Sequence, residues 1–376
     1  MKLSKLYSNF LKSETNAGII LLGCTIISIL ISNTALGNSY IALWHHTLFS
    51  QPFEFWINDV LMTLFFLMVG LEIEREIYIG ELSNLKKASL PVVAAIGGML
   101  IPALIHFLFN YGTNYQNGYA IPMATDIAFS LAILSLLGNK VPLSIKIFLT
   151  ALAIIDDLGA IIVIATCYSN HLNLISLLFA LGVFGIMLVL NRFKVYSLWP
   201  YLVLGIIMWI CVYQSGIHPT ITGVLVAFAI PFQDGKDHSI SYKLQDFLHH
   251  PVAFIILPLF ALVNTAILLP SSIFSDLMET NTMGIILGLF IGKPLGIFLF
   301  SMLGIGLKIC SLPKDVSKLN LWFIGCLAGI GFTMSIFISL LAFHSEVIII
   351  QSKIAIIIGS LLSGIIGFIG LNKTLK

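Results

Sequence analysis

The chain has 376 residues, of which 58% are hydrophobic and only 10% are charged. Soluble domains carry about 25% charged residues, so this composition is typical of an integral membrane protein. The formal net charge of +2 provides no basic surface for nucleic acid, and no glycine-rich phosphate loop follows a strand. We therefore exclude nucleic-acid and nucleotide binding and expect no cofactor.

Apolar runs long enough to cross a bilayer as α-helices recur along the chain. We count twelve spans, near residues 16–33, 59–76, 89–110, 118–137, 143–168, 173–191, 197–213, 217–232, 251–270, 283–307, 320–343 and 349–370. Of the 19 Lys and Arg residues, all but Lys293 and Lys353 fall at the termini, in the loops after even-numbered spans or at the helix ends beside them. By the positive-inside rule, both termini are predicted to be cytoplasmic. The sequence predicts a single polytopic membrane domain over residues 1–376.

A segment rich in aromatic and β-branched residues separates the first two spans, at about residues 38–58. It is interpreted either as a short external hairpin or as an aromatic belt at the membrane interface. Neither interpretation gives this segment a chemical role.

The end of span 2 carries Glu72, Arg75 and Glu76 at i, i+3 and i+4, on one face of a helix that leaves the membrane. On the same predicted side of the membrane, the beginning of span 9 carries Asp246 and His250. These groups are either ordinary ion pairs at solvated helix ends or a cluster that responds to pH, because histidine titrates near neutrality. The sequence alone does not bring the two segments together.

Two spans contain residues that interrupt a helix. In span 4, Pro122 precedes Thr125 and Asp126, and proline removes a backbone donor and disfavours helix in the residue before it. Span 11 has Gly329 and Gly331 near its middle, which predicts either a second break or close helix packing. Two interrupted spans in corresponding halves of a transporter indicate a midplane binding site between inverted repeats.

Buried charges stand near the middle of two other spans. Asp156 and Asp157 are adjacent in span 5, and Lys293 lies in span 10. An Asp at the centre of a bilayer costs roughly 2.5–3.5 kcal/mol, so these groups are expected to be paired or hydrated, and functional. Lys293 is expected to pair with one of the two aspartates, while the other faces a cavity, because adjacent helix residues point about 100° apart.

A proton and a hard cation would compete for the carboxylate oxygens of Asp156 and Asp157. This competition predicts exchange of the two ions. An intramembrane aspartyl protease would also need two buried Asp residues, but on different helices and in motifs that this chain lacks. A cation channel, or a transporter of another cation or solute on the same scaffold, remains the alternative.

Several runs resemble those of the NhaA family of bacterial Na+/H+ antiporters, in the same order along nearly the whole chain. They are FFLMVGLEIEREI, AIPMATDIAF, KIFLTALAIIDDLGAI, HPTITGVL, PLFALVNTAI, GKPLGIF and GIGFTMSIFI. The resemblance implies an all-α membrane protein of about twelve helices with inverted repeats, in which broken spans 4 and 11 cross near the midplane. It also implies a secondary antiporter of the inner membrane, not an enzyme.

The resemblance assigns roles to the buried residues. Asp157 and Asp156 would form the Na+ site, with Asp157 the principal ligand and Lys293 paired with Asp156. Thr125 and Asp126 would lie where the broken helices cross, with Asp126 offsetting helix N-terminal ends and Lys293 offsetting C-terminal ends. The exchange would be electrogenic, would include Li+ as well as Na+, and would occur in a homodimer within the lipid bilayer.

The resemblance also implies regulation by pH at the cytoplasmic face. The corresponding residues are Glu72, Arg75, Glu76, Asp246, His250 and His218. This chain departs from the family in one respect, since it has Asp246 and Phe247 where the family has Glu and His. One titratable group of the sensor is therefore missing, and the pH profile is expected to differ.

Overall fold

The computed structural model describes residues 2–168, 172–233, 235, 239–270, 276–313 and 315–375. The chain is mostly helical. The helices are α1 (Lys2–Ser32), α2 (Gly37–His45), α3 (Phe53–Tyr78), α4 (Leu85–Phe109), α5 (Ile127–Leu136), α6 (Leu143–Cys167), α7 (Leu174–Arg192), α8 (Leu198–Ser215), α9 (Ile221–Ala229), α10 (Ile240–Asn264), α11 (Thr280–Gly306), α12 (Lys318–Ala328), α13 (Phe332–Ala342) and α14 (Glu346–Thr374). A 3-10 helix over Gln116–Met123 precedes α5.

Within the described residues, ten helical segments are long and apolar enough to cross a membrane, or eleven if the bent pair α12 and α13 is one span. The prediction of a helical, multi-pass membrane protein is confirmed, and the chain adds only one short hairpin to its helices within the described residues. The expected span at 217–232 contains only the nine residues of α9, which is shorter than a bilayer requires. The count of twelve spans and the inverted repeats stay predictions.

A two-stranded hairpin follows α2. Strand β1 (Thr47–Leu48) pairs antiparallel with β2 (Gln51–Pro52), and Thr47 lies opposite Pro52. Phe49 and Ser50 turn the chain with φ values of 52° and 68°. The hairpin suggested by the sequence is therefore present, while its position outside the membrane stays a prediction.

The described helices group into two compact units. The first draws on residues 1–41, 84–160 and 261–376, and the second on residues 42–83 and 161–260. In the first unit, α4 packs on α11, α1 on α5, and α12 on α14. In the second unit, α3 packs on α9 and on α10, and α7 packs on α8. The prediction of a single membrane domain remains open.

Small residues bring α4 and α11 into close contact. A Cβ atom added to Gly97 would collide with the backbone oxygen of Gly296, and a Cβ added to Gly296 would collide with that of Gly97. Small residues allow this approach in membranes, where helix association depends on close packing rather than on the hydrophobic effect. The contact fixes α11, which carries Lys293.

Both interruptions that the sequence suggested are present in the first unit. Between the 3-10 helix and α5 the chain is extended at residues 124–126, and α12 meets α13 at an angle of 50°. The two breaks touch, because the backbone N–H of Asp126 donates to Ile330 O at 2.7 Å. At Gly329 only a hydrogen fits, since a Cβ would collide with the backbone oxygen of Leu289. Irregular backbone at this depth is tolerated because it is buried in protein.

A wide turn in α11 positions Lys293. Residues Gly288–Gly292 form a π-helical stretch, in which the N–H of Lys293 bonds to Gly288 O, five residues back. The next residue is Pro294, which has no N–H to continue the regular ladder. π-Helical turns of this kind often occur at functional sites.

Candidate functional site

Lys293 and Asp156 form a buried ion pair. The ammonium nitrogen of Lys293 lies 2.9 Å from Asp156 Oδ2, and both side chains are fully buried. The ammonium also donates to the backbone oxygen of Met123, at the C-terminal end of the 3-10 helix. The expected carboxylate partner of Lys293 is therefore present, and of the two aspartates it is Asp156. The carbonyl end of a helix favours a nearby cation.

The hydroxyl of Thr125 lies between two acceptors. Its Oγ1 is 2.7 Å from Asp156 Oδ2 and 2.9 Å from the backbone oxygen of Ala328 at the end of α12. A hydroxyl carries a single hydrogen, so Thr125 donates to one of these oxygens at a time. Asp156 Oδ2 is thus shared by Lys293 and Thr125, while Asp156 Oδ1 has no hydrogen-bond partner among the described residues.

Asp126 caps both half-helices that begin at the crossing. Its Oδ1 accepts from Phe129 N at 2.9 Å in the first turn of α5. Its Oδ2 accepts from Thr333 N at 3.1 Å and from Thr333 Oγ1 at 2.5 Å, at the beginning of α13. A carboxylate at a helix N-terminus satisfies orphan N–H groups and interacts favourably with the helix dipole. Asp126 therefore organises the crossing through bonds to both helices.

Serine side chains satisfy further backbone groups freed by the breaks. Ser360 Oγ on α14 accepts from Gly331 N at 3.3 Å and from Phe332 N at 3.2 Å. Ser335 Oγ donates to Ile121 O at 2.7 Å, within the 3-10 helix. These serines were not predicted from the sequence, because a serine inside an apolar span is indistinguishable from a small packing residue.

The expected pH-responsive residues lie in the second unit. Glu72, Arg75 and Glu76 are on α3, whereas Asp246 and His250 are exposed on α10. The two helices pack together. One contact between them places the Arg75 guanidinium 5.0 Å from the ring centroid of Tyr242 on α10. Glu76 Oε2 accepts from the N–H of Glu81 at 2.9 Å. The structure thus brings the two segments together, and a tyrosine that the sequence did not single out is among the residues in contact.

His218 lies in the turn between α8 and α9. Its Nε2 is 3.1 Å from Asp59 Oδ1, and its Nδ1 is 2.8 Å from Thr220 Oγ1. Asp59 was missed, although a carboxylate at the beginning of a membrane span is a signal that could have identified it.

The matches to known proteins extend over nearly the whole chain. The model of the Na+/H+ antiporter 1 family matches residues 8–371. The chain belongs to this family. It is 57% identical over 376 residues to the Na(+)/H(+) antiporter NhaA of Flavobacterium psychrophilum, covering 100% of this chain and 98% of that protein. It is 54% identical over 376 residues to NhaA of Cytophaga hutchinsonii, covering 100% of this chain and 97% of the relative. It is 46% identical over 415 residues to NhaA of Helicobacter pylori, covering 97% of this chain and 94% of the relative.

Membership in the Na+/H+ antiporter 1 family confirms the resemblance inferred from the sequence motifs. Members of the family are secondary transporters, so the prediction of a transporter rather than an enzyme is also confirmed. The chain is a multi-pass membrane protein.

The atoms around Asp156 and Asp157 that are suited to bind a cation are oxygens. Asp157 is buried beside Asp156 on α6, and its charge acts on Lys293 as well. Within the described residues, no three His, Cys, Asp or Glu side chains form a metal-binding group. Two carboxylates, a hydroxyl and backbone carbonyls are ligands for a hard cation, and the carboxylates are equally able to hold protons.

Proposed function

We propose that this protein exchanges cytoplasmic Na+ for external H+ across the bacterial inner membrane, with Asp157 and Asp156 as the groups that bind both ions. The observation that carries the proposal is the buried ion pair, in which Lys293 Nζ lies 2.9 Å from Asp156 Oδ2 beside Asp157. The relatives named Na(+)/H(+) antiporter NhaA support the choice of ions.

The exchange follows from competition for the same oxygens. Two adjacent carboxylates in a buried site disfavour simultaneous ionisation unless a cation compensates them. Lys293 supplies one positive charge, and the arriving Na+ supplies the second. When protons bind instead, the Na+ loses its ligands and leaves. The protonation steps belong to the coupled set of Asp156, Asp157 and Lys293 rather than to one residue.

Thr125 and Asp126 have supporting roles in this proposal. Thr125 exchanges its hydrogen bond between Asp156 and the Ala328 carbonyl, so the carboxylate can be bound by Lys293, by a proton or by Na+ without leaving the hydroxyl unpaired. Asp126 holds the ends of α5 and α13 together, and movement of this crossing would open the site to either side in turn.

Further properties belong to the same proposal. If more protons enter than Na+ ions leave, a membrane potential of 100 mV contributes about 2.3 kcal/mol per net charge. That is roughly a fifty-fold ion gradient, which suffices for Na+ extrusion. Li+ shares the site as a second hard cation. The exchange is regulated by pH through the residues on α3 and α10 and His218, and the protein works as a homodimer.

The experiment uses everted membrane vesicles acidified inside by respiration, with an internal pH dye. Adding Na+ to vesicles that contain the wild-type protein is expected to raise the internal pH. Asp157→Asn is expected to abolish this response while folding normally. Asp315→Asn, the same change at an exposed position of the same unit, should respond as the wild type does.

Other outcomes separate the alternatives. Na+ uptake that continues without proton movement would indicate a channel, and no response to Na+, Li+ or K+ would indicate another solute. A normal response in Asp157→Asn would disprove the assignment of the site. Repeating the assay across pH values would show whether Phe247 has altered the pH profile.

A further inference from the structure

A buried carboxylate in the second unit has no part in the proposed exchange. Glu74 lies on α3 and is only 7% exposed. Its Oε2 atom has no hydrogen-bond partner among the described residues. It lies two residues from Glu72, which is about 200° around the helix, so it points away from the expected pH-responsive face. A buried carboxylate is unfavourable in its charged form, so a cationic ligand beside Glu74 would stabilise that form.

Glu74 opens into a cavity of about 510 Å³, here called the Glu74 cavity. The cavity lies within the second unit, where α3, α7 and α9 end. Besides Glu74 it is lined by Tyr78, Ile79, Asn191, Phe228, Phe232 and Gln233. This volume falls within the range of roughly 300–1,000 Å³ that is typical of sites for small molecules. The loops that follow these three helices are predicted to be cytoplasmic. The cavity is therefore expected to open at the cytoplasmic surface of the membrane.

The walls of the Glu74 cavity are suited to a cation. The rings of Tyr78 and Phe232 stack on each other with centroids 4.9 Å apart and planes inclined by 28°. Stacking covers one face of each ring, so it is the outer face of Tyr78 or Phe232 that would attract an ammonium or guanidinium group. Asn191 uses its side-chain N–H in a 3.0 Å bond to Ala229 O, which leaves its amide oxygen as an acceptor. Carboxylate, amide oxygen and aromatic faces together match an N–H donor that carries a positive charge.

We propose that the Glu74 cavity binds a monovalent organic ammonium ion, whose charged group is held by Glu74 and whose apolar body lies against the aromatic rings. A bare Na+ ion is a poor fit, because a hard cation needs several converging oxygens and this volume is much larger than one ion. The site is separate from the exchange chemistry at Asp156 and Asp157, so the proposal does not rest on the proposed function.

The test uses the purified full-length protein, with phenethylammonium as the probe and phenethyl alcohol as its neutral analogue. Isothermal titration at about pH 8 is expected to show that the ammonium binds at least tenfold more tightly than the alcohol. Glu74→Gln keeps the shape of the side chain and should weaken ammonium binding at least tenfold. Glu81→Gln makes the same change of charge nearby, outside the cavity lining, and should bind as the wild type does.

Two further measurements keep the test decisive. Phe232→Leu removes one aromatic face and should weaken binding about threefold or more, which provides a second variant if Glu74→Gln does not fold. Asp157→Asn should bind the probe normally. Loss of binding in Asp157→Asn would locate the probe at the proposed ion site and overturn the inference. Equal affinities for the ammonium and the alcohol, or wild-type affinity in Glu74→Gln, would overturn it as well.

An ammonium group reaches this interface from two sources, a soluble amine or the headgroup of phosphatidylethanolamine. Titrations in nanodiscs distinguish them, with phosphatidylglycerol as the lipid that lacks an ammonium. Weaker phenethylammonium binding in phosphatidylethanolamine than in phosphatidylglycerol would identify the lipid headgroup as the occupant. Equal binding in both lipids would indicate a soluble amine.

Discussion

Replacing Lys293 by alanine should leave Asp156 in the protein interior without its counter-charge. Both side chains are fully buried, and Lys293 Nζ lies 2.9 Å from Asp156 Oδ2. Removing one partner of a buried ion pair typically destabilises a protein by about 3–5 kcal/mol, because the remaining charge keeps its desolvation penalty. The Thr125 hydroxyl, 2.7 Å from the same oxygen, recovers only part of this loss.

The assay is the melting temperature of the purified protein in one detergent at neutral pH. For a chain of this length, a loss of about 3–5 kcal/mol corresponds to a shift of roughly 5 °C or more. Lys318→Ala, which removes an exposed lysine from α12, should melt within about a degree of the wild type.

A double-mutant cycle tests whether the loss comes from the pair. The cycle compares Lys293→Met and Asp156→Asn, each alone, with the variant that carries both. The double variant removes both charges, so it should melt higher than either of these single variants. If Lys293→Ala melts at the wild-type temperature, the ion pair does not stabilise the protein as argued. If the two single effects simply add in the double variant, the two side chains are not coupled.

Two more predictions concern the crossing of the broken helices. Ser360→Ala leaves two buried N–H groups without an acceptor, so it should lose about 1–3 kcal/mol, measured as melting temperature together with the Na+ response of vesicles. Ser345→Ala is the control, because this serine makes no capping bond at the beginning of α14, and equal stability of the two variants would contradict the role of Ser360. Gly329→Ala places a Cβ against a backbone oxygen of α11 and should lose about 1–3 kcal/mol, whereas Gly23→Ala has open space around the new methyl group and should not. A fully stable Gly329→Ala variant would show that the crossing can widen.

The sequence was most informative where a single residue is costly in a bilayer. Lys293 was expected to pair with one of the two adjacent aspartates, because neither charge is stable alone at membrane depth. The break in span 4 followed from Pro122, since proline cannot donate a backbone hydrogen bond. These inferences depend on local chemistry and on the membrane as solvent, which the sequence specifies directly.

The surface of α10 was much less predictable. Asp246 and His250 stand out in the sequence because they are titratable, yet both are exposed in the structure, and a contact between α10 and α3 is made by Tyr242, which lies against the Arg75 guanidinium. The burial of Glu74 was not predictable, because this residue stands among other charged residues at a helix end, a pattern typical of a solvent-exposed segment. Whether one residue of such a run is buried depends on the helices packed against it.

The sequence by itself determined that the chain is a multi-pass helical membrane protein with charges buried at the centre of its spans. Transfer of a side chain into a bilayer depends mainly on the side chain itself, so composition along the chain is enough. The chemistry of the residues left open which aspartate pairs with Lys293, and the structure shows that it is Asp156, as the family resemblance implied. Only the tertiary structure decided that Asp126 caps a helix beginning 206 residues further along, at Phe332. Such choices depend on direction and on distant partners, because adjacent helix residues point about 100° apart and a capping oxygen must lie within hydrogen-bond distance of its donor.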